Sequence, residues 1–337
     1  MMKLLLAVGL SLLQPLTACA ASIPTWRGIH IWIASDKAAH QLMQTFPALH
    51  AEGVNQLVLE VNYSFEFQAH PELREKRFVL AATAHAMAAA ARSNGLALIP
   101  EFNCLGHQSF GRRTCPLLAA HPEFNETPSR SPADPGVYCL SWCPRAPNVN
   151  KIIFSLIDEM AAAFEAKSFH VGMDEVYYIG DPECKRCHGA DPARLFADQV
   201  NALHQHLVVE KRLQMLMWAD RVIGPKYQGY SKYDNKQNDL SASIDLIPHD
   251  IVMCDWHYEY RTNYPSVPYL HDKGFPVWPA GFLPLRATQA FSDYCLAHRN
   301  DVIGYLATTW NETTLRGLPE WPPVKDVLLQ WNEDTHR

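Results

Sequence analysis

The stretch Phe169-His170-Val171-Gly172-Met173-Asp174-Glu175-Val176 runs apolar and then stops on two adjacent acids. Coming after the helix-patterned segment Asn148 to Ala166, it reads as a strand buried on both faces, the signature of a parallel sheet. The same unit repeats in both directions. Upstream, Gly28 to Ile33, Gln56 to Val61 and Leu96 to Phe102 are strand-like, separated by helical patterns over Lys37 to Ala51 and Phe78 to Arg92, the second stopped by Asn94-Gly95. Downstream come Gln214 to Ala219, Asp250 to Trp256, Pro276 to Phe282 and Val302 to Thr308. Pro319 to Trp331 reads as a closing helix, and the fifth helix is poorly defined within the polar segment Gly224 to Ser243. Eight strand–helix units predict an α/β fold, a closed (β/α)₈ TIM barrel in one domain, with a long Cys- and Pro-rich loop after the third strand. An open doubly wound sheet would want Gly-x-Gly-x-x-Gly after an early strand, and the sequence has none.

The 337 residues carry 29 Lys plus Arg against 35 Asp plus Glu, a formal charge of −6. With no basic run to replace counterions, a nucleic-acid partner is not expected, nor is attachment to a membrane surface through a basic patch. At 48% hydrophobic and 19% charged the chain has enough apolar material for a large core and too little charge for disorder. Aromatics reach 11%, with 9 Trp and 13 Tyr, and flat rings at strand ends suit the faces of sugars.

Lys3 followed by the apolar run Leu4 to Leu13 reads as an export signal too short to span a bilayer as an anchor. Leu16-Thr17-Ala18-Cys19 resembles a bacterial lipobox, which would make residues 1–18 a signal peptide, Cys19 a lipidated first residue and residues 19–337 the barrel. Ala18-Cys19-Ala20 also fits an ordinary small-x-small cleavage site, so simple secretion is the alternative. The expected location is the bacterial envelope, periplasm or cell surface, with a lipid tether as the only membrane attachment. Of the remaining cysteines, Cys139, Cys143, Cys184 and Cys187 are clustered. An oxidising compartment favours disulfides among them, while Cys-x₃-Cys and Cys-x₂-Cys spacings also fit a four-thiolate structural zinc site. Cys184 to His188 matches the covalent haem pattern Cys-x-x-Cys-His, with no second axial ligand identified.

Barrel enzymes keep their reactive groups at the C-terminal ends of the strands. Those ends read Glu60 and Asn62; Glu101, Asn103 and His107; Asp174 and Glu175; Trp218 and Asp220; Asp255, Trp256, His257 and Tyr258; Trp310, Asn311 and Glu312. Each has a bland account taken singly, Glu60 or Glu101 as a helix cap and Trp218 or Trp310 as packing at the barrel mouth. Convergence from most strands points to a site. Two acids side by side at a partly dry rim favour keeping one protonated as a proton donor. Glycosidases more often set two carboxyls across the bond, about 5 to 10 Å apart, and adjacent strand residues point to opposite faces. The second function therefore differs, one example being Asp174 orienting a nucleophile that the substrate itself supplies.

His170-Val171-Gly172-Met173-Asp174-Glu175 resembles the His-x-Gly-Gly-Asp-Glu motif of family 20 glycoside hydrolases, the β-N-acetylhexosaminidases. Pro100-Glu101-Phe102-Asn103-Cys104-Leu105-Gly106-His107 is similar to their Pro-Glu-x-Asp-x-Pro-Gly-His loop, Trp26-Arg27-Gly28 to their first-strand Arg-Gly, and Trp310-Asn311-Glu312 to their final Trp-x-Glu. The resemblance runs from Arg27 to Glu312. It implies retaining removal of terminal N-acetylhexosamine, GlcNAc or GalNAc, from a glycan through an oxazolinium intermediate, without a metal or organic cofactor. It further implies Glu175 as general acid and then base, and Asp174 as the partner of the 2-acetamido group. Arg27 and Glu312 would bind ring hydroxyls, Trp218, Trp256 and Trp310 would wall the sugar, and Glu101 and His107 would serve the site from the third strand and its loop. The chain departs from the family in several places. His30, Trp32 and Ser35 replace an Asp and an Arg on the first strand, Glu60-Val61-Asn62 replaces a His and an Asp on the second, and the seventh lacks its acetamide-binding Tyr, for which Tyr258 is a candidate substitute. No counterpart of the family's common N-terminal domain is read in the sequence. Two rivals are a two-carboxylate glycosidase on non-acetamido sugars, with Glu312 or Asp255 as nucleophile, and a catalytically silent glycan-binding lipoprotein. A metal-dependent hydrolase would want a His-x-His pair on the first strand, where only His30 stands.

Overall fold

The computed structural model describes residues 25–228, 238–310 and 312–333. Ten strands form: β1 (Trp26–Trp32), β2 (Gln56–Glu60), β3 (Ala97–Cys104), β4 (Ser109–Phe110), β5 (Arg113–Thr114), β6 (Ser168–Gly172), β7 (Gln214–Trp218), β8 (Val252–His257), β9 (Val277–Gly281) and β10 (Gly304–Thr308). Eight of them close a parallel barrel in the order β1-β10-β9-β8-β7-β6-β3-β2, and β4 with β5 makes a small antiparallel hairpin on the loop after β3. Each of the eight apolar runs read from the sequence is a barrel strand, shifted at its ends by a few residues at most. The pairing of Trp26 with Gly304 and His30 with Thr308 seals first strand to last.

The alternation of side chains along the strands divides the core in two. Inward residues such as Val58, Ile99, Leu216, Val252, Cys254, Trp278 and Leu306 fill the barrel, and the larger set packs between the sheet and its helices. Along β8 this parity sends Cys254 and Trp256 inward and Met253 outward. Gly28 on β1 makes room for the indole of Trp278, since a Cβ there would collide with that ring.

The helices depart from expectation where prolines fall. The pattern over Lys37 to Ala51 is two helices, Asp36–Met43 and Phe46–Ala51, because Pro47 sits in the first turn of the second and cannot donate to a continuing helix. Ser35 caps the first by accepting the Ala38 N–H at 3.2 Å. The expected closing helix is a 3₁₀ stretch, Glu312–Glu320, a π stretch, Pro323–Leu328, and one α turn, Gln330–Glu333. Pro319, Pro322 and Pro323 remove the donors that a single α-helix would need. In the fifth connection, Pro225–Gln228 is one helical turn and Ser241–Leu246 is 3₁₀, with residues 229–237 outside the described set. The expected signal peptide and Cys19 also lie outside it. Among the described residues no helix is long and apolar enough to cross a membrane.

Candidate active site

β6 ends at Gly172, and there the chain turns sharply. Gly172, Met173 and Glu175 all take left-handed backbone, with φ of 66°, 71° and 49°. A Cβ at Gly172 would run into Asn103, so glycine is required by space as well as by φ. For Met173 and Glu175 the conformation costs roughly 1–2 kcal/mol each, strain of the kind that surrounding packing holds in place at functional sites. The turn removes the parity problem of a straight strand. Asp174 and Glu175 both line one pocket at the barrel mouth.

His107 joins them. Its Nε2 lies 3.0 Å from Asp174 Oδ2 and 3.3 Å from Glu175 Oε2. Burial disfavours its charged form, but Asp174 more than reverses that, and the imidazole pKa stands well above its ordinary value. The imidazole thus sits between the carboxyl groups of Asp174 and Glu175. The Glu175 backbone N–H donates to Asp220 Oδ2 at 3.0 Å, and the Tyr177 hydroxyl donates to Glu175 Oε1 at 3.3 Å. Burial, and after it the charge of Asp174, pushes Asp220 up to about 7. The raised carboxyl that crowding at this rim implies is thus found at Asp220, on the end of β7. Asp174 Oδ1 is buried with no hydrogen-bond partner among the described residues.

The pocket encloses about 970 Å³, room for a sugar and more. Trp218, Trp256, Tyr258 and Trp310 wall it. Trp256 and Tyr258 stack at 5.1 Å, and Trp218 and Trp310 tilt together at 5.9 Å. Across the mouth, Glu60 Oε1 accepts from Asn62 Nδ2 at 2.9 Å and Asn103 Nδ2 at 3.0 Å. Burial first, and then the neighbouring Glu101, lifts the Glu60 carboxyl to about 7.

Seven of the residues given a catalytic or substrate-binding role from the sequence meet here, His107, Asp174, Glu175, Trp218, Trp256, Tyr258 and Trp310, together with the strand-end residues Glu60, Asn62 and Asn103. Others do not. Glu101 is fully buried beneath the pocket, accepting from Trp218 Nε1 at 2.9 Å and pairing with His30 at 3.0 Å and His170 at 3.2 Å. Burial would raise its pKa, but the two imidazoles lower it below the usual carboxylate range, and Glu101 sits beneath the pocket without lining it. Arg27 is misplaced more plainly. It stands near the start of β1, five residues before the pocket-lining Trp32, and its guanidinium donates to the backbone carbonyls of Gly53 and Thr25 at the opposite end of the barrel. Glu312 opens the 3₁₀ stretch, and its side chain lies outside the described residues. Asp255, the nucleophile of the two-carboxylate alternative, is turned to the helix side, where Ser266 Oγ donates to it at 2.6 Å. Cys139 leaves the other clustered cysteines and donates its thiol to the Glu175 carbonyl at 3.2 Å.

Sequence reasoning missed Tyr177 and Tyr138. Tyr177 follows the acid pair by two residues, a signal within reach. Tyr138 lines the pocket from the Pro-rich loop, and nothing local marks it.

A parallel barrel whose C-terminal mouth carries an acid pair between aromatic walls is the arrangement of a glycoside hydrolase barrel. The chain belongs to glycosyl hydrolase family 20, whose catalytic-domain model matches residues 28–316. The described fold is similar to that of the β-N-acetylhexosaminidase from Bacteroides fragilis NCTC 9343, with a TM-score of 0.67 at 12% identity over 91% of this chain and 66% of that one. It is likewise similar to the β-N-acetylhexosaminidase from Streptomyces coelicolor A3(2), with a TM-score of 0.62 at 14% identity, covering 90% and 63%. Dispersin B aligns with a TM-score of 0.57 at 14% identity, covering 92% of this chain and 98% of that one. In sequence, 153 residues are 28% identical to the lacto-N-biosidase of Bifidobacterium bifidum, 42% of this chain and only 13% of that much longer protein.

Proposed function

We propose that the protein is a retaining hydrolase of β-linked N-acetylhexosamine that uses the substrate's own acetamide as nucleophile. The observation that carries this reading is the His107 bridge, which holds two adjacent carboxylates in one aromatic-walled pocket while leaving Asp174 Oδ1 without a partner. Asp174 then accepts the acetamide N–H, and the amide carbonyl oxygen forms a bond to the anomeric carbon as the bond to the leaving oxygen breaks. Glu175 gives its proton to that oxygen. Water next attacks the anomeric carbon of the oxazolinium, its proton passes to Glu175, and the amide is regenerated with net retention. Trp218, Trp256, Tyr258 and Trp310 exclude water around the ring and acetamide. Tyr258, with a hydroxyl whose pKa burial pushes well above 10.0, is suited to donate to the acetamide oxygen.

Asp255, one of the two nucleophiles of the two-carboxylate alternative, faces the helices, and among the described residues the carboxyl that lines the pocket apart from the acid pair and is closest to that role is Glu60. Glu60 is tied to two amide groups, and a carboxyl titrating near 7 is only partly anionic at neutral pH. Thiazoline mimics of the cyclised intermediate test the choice. Competitive inhibition, with aryl N-acetylglucosaminide or N-acetylgalactosaminide cleaved and aryl glucoside spared, supports the substrate-assisted reading. Turnover of simple glucosides without thiazoline inhibition would replace it. We also propose export and lipidation at Cys19, for which the mass of the mature N-terminal peptide is the test.

A further inference from the structure

Outside the sugar pocket, Glu126, Cys143, Cys184 and Cys187 bring a carboxylate oxygen and three sulfurs to within 4.8 Å of one another, all from buried side chains. Cys143 Sγ lies 3.1 Å from Cys187 Sγ and 3.4 Å from Cys184 Sγ. Glu126 is fully buried. Its Oε1 accepts the Asp181 N–H at 3.0 Å, but Oε2 is buried with no hydrogen-bond partner among the described residues. The Cys184–Cys187 turn is tightly folded, with the His188 N–H donating to the Cys184 carbonyl at 2.9 Å and the Ala190 N–H to the Cys187 carbonyl at 3.0 Å.

A disulfide accounts for this cluster poorly. It joins two sulfurs at about 2.0 Å and would leave the third thiol and an unpartnered carboxylate oxygen buried beside it, where an uncompensated polar group costs on the order of 1–3 kcal/mol or more. A tetrahedral divalent ion uses all four groups. Zn–S bonds of about 2.3 Å set sulfur–sulfur edges of about 3.8 Å, so the Cys143–Cys187 and Cys143–Cys184 separations of 3.1 and 3.4 Å need to open by less than about 1 Å. Thiolate-rich sets select zinc over the hard cations magnesium and calcium.

We propose that Glu126, Cys143, Cys184 and Cys187 form a structural zinc site that clamps the long excursion after β3 to the loop after β6. Those two segments carry His107, Tyr138 and Cys139 on one side and Asp174, Glu175 and Tyr177 on the other, so the clamp ties the segment bearing His107 to the segment bearing the acid pair. The four-cysteine set read from the sequence is thereby revised, with Glu126 in the place of Cys139.

The test uses the mature full-length protein, purified without chelator, and reads metal instead of turnover, so it stands whether or not the proposed hydrolysis does. Elemental analysis should give about one zinc per chain, and alkylation followed by mass measurement should find no disulfide among Cys143, Cys184 and Cys187. Glu126→Gln should hold zinc about 10–100-fold less tightly against a competing chelator, and Cys139→Ser should hold it as the wild type does. Cobalt(II) loaded into wild-type protein should show the visible bands of a tetrahedral thiolate site, a readout that survives if Cys143→Ser fails to fold. Trace metal together with a Cys143–Cys187 or Cys184–Cys187 disulfide in a non-reducing peptide map would overturn the proposal, as would zinc retention unchanged in Glu126→Gln.

Discussion

Two of the barrel's carboxylate–imidazole pairs differ in the side of the sheet they face. At the mouth, Asp174 meets His107 at 3.0 Å, with Glu175 alongside. On the helix side of β8, Asp255 meets His257 at 3.2 Å, and Ser266 Oγ bonds to both, at 2.6 and 2.8 Å. By residue type the second set is the better imitation of a hydrolytic triad. It is also sealed, with Asp255 and His257 each 1% exposed and the His257 ring wedged against Phe291 and Tyr264 at 4.7 and 5.1 Å. A substrate cannot reach it. The mouth pair sits on strained backbone and lines a pocket; the other bolts a strand to its helix. Chemistry-bearing residues make a site only when parity and access deliver them to a ligand.

Substitutions test that contrast, beginning with the largest effect. Glu175→Gln should lower kcat on an aryl N-acetylhexosaminide by about 10²–10⁴-fold with the far-ultraviolet circular dichroism unchanged. Asp174→Asn should cost about 10²–10³-fold, and more in kcat than in KM, because its acceptor matters most as the amide becomes an oxazolinium. Asp255→Asn should do the opposite. It should leave kcat/KM within about threefold while lowering urea stability by about 1–3 kcal/mol through its broken bonds to Ser266 and His257. A folded Asp255→Asn protein without activity would break the comparison.

Asp220 gives a subtler effect. The folded protein holds its proton up to about 7, whereas the unfolded chain releases it near the ordinary 3.8. Between those values the native state binds more protons than the unfolded one, so this group makes stability fall as pH rises. Asp220→Asn should flatten the decline of Tm across that window, as differential scanning fluorimetry at a series of pH values would show. The smallest expected effect belongs to Arg27→Ala, which should leave KM within about twofold because the side chain serves the far end of the barrel.

The strands were legible because their apolar runs are continuous and evenly interrupted, and Asp174-Glu175 was legible because a charged pair ends one of those runs. Arg27 misled because matching a motif ignores distance along a strand: five residues at about 3.3 Å each separate it from Trp32 at the mouth. Glu101 misled differently. It points into the barrel as expected, but Trp218 and two histidines close over it, and only tertiary packing decides that. Tyr138 and Glu126 were invisible for a third reason, since both arrive from a long irregular loop whose path no periodicity describes. The broken helices at Pro47 and Pro319 could have been read from the prolines alone.

The central claim is that the substrate's amide is the nucleophile, held by Asp174 and relieved of its leaving group by Glu175. Its most direct test is the rate of hydrolysis along a series of aryl 2-acylamido-2-deoxyglycosides whose acetyl group carries increasing numbers of fluorine atoms. A steep fall in kcat/KM as the carbonyl oxygen loses basicity is the predicted result. Rates that ignore the fluorines, or a product released with inverted anomeric configuration, would contradict it.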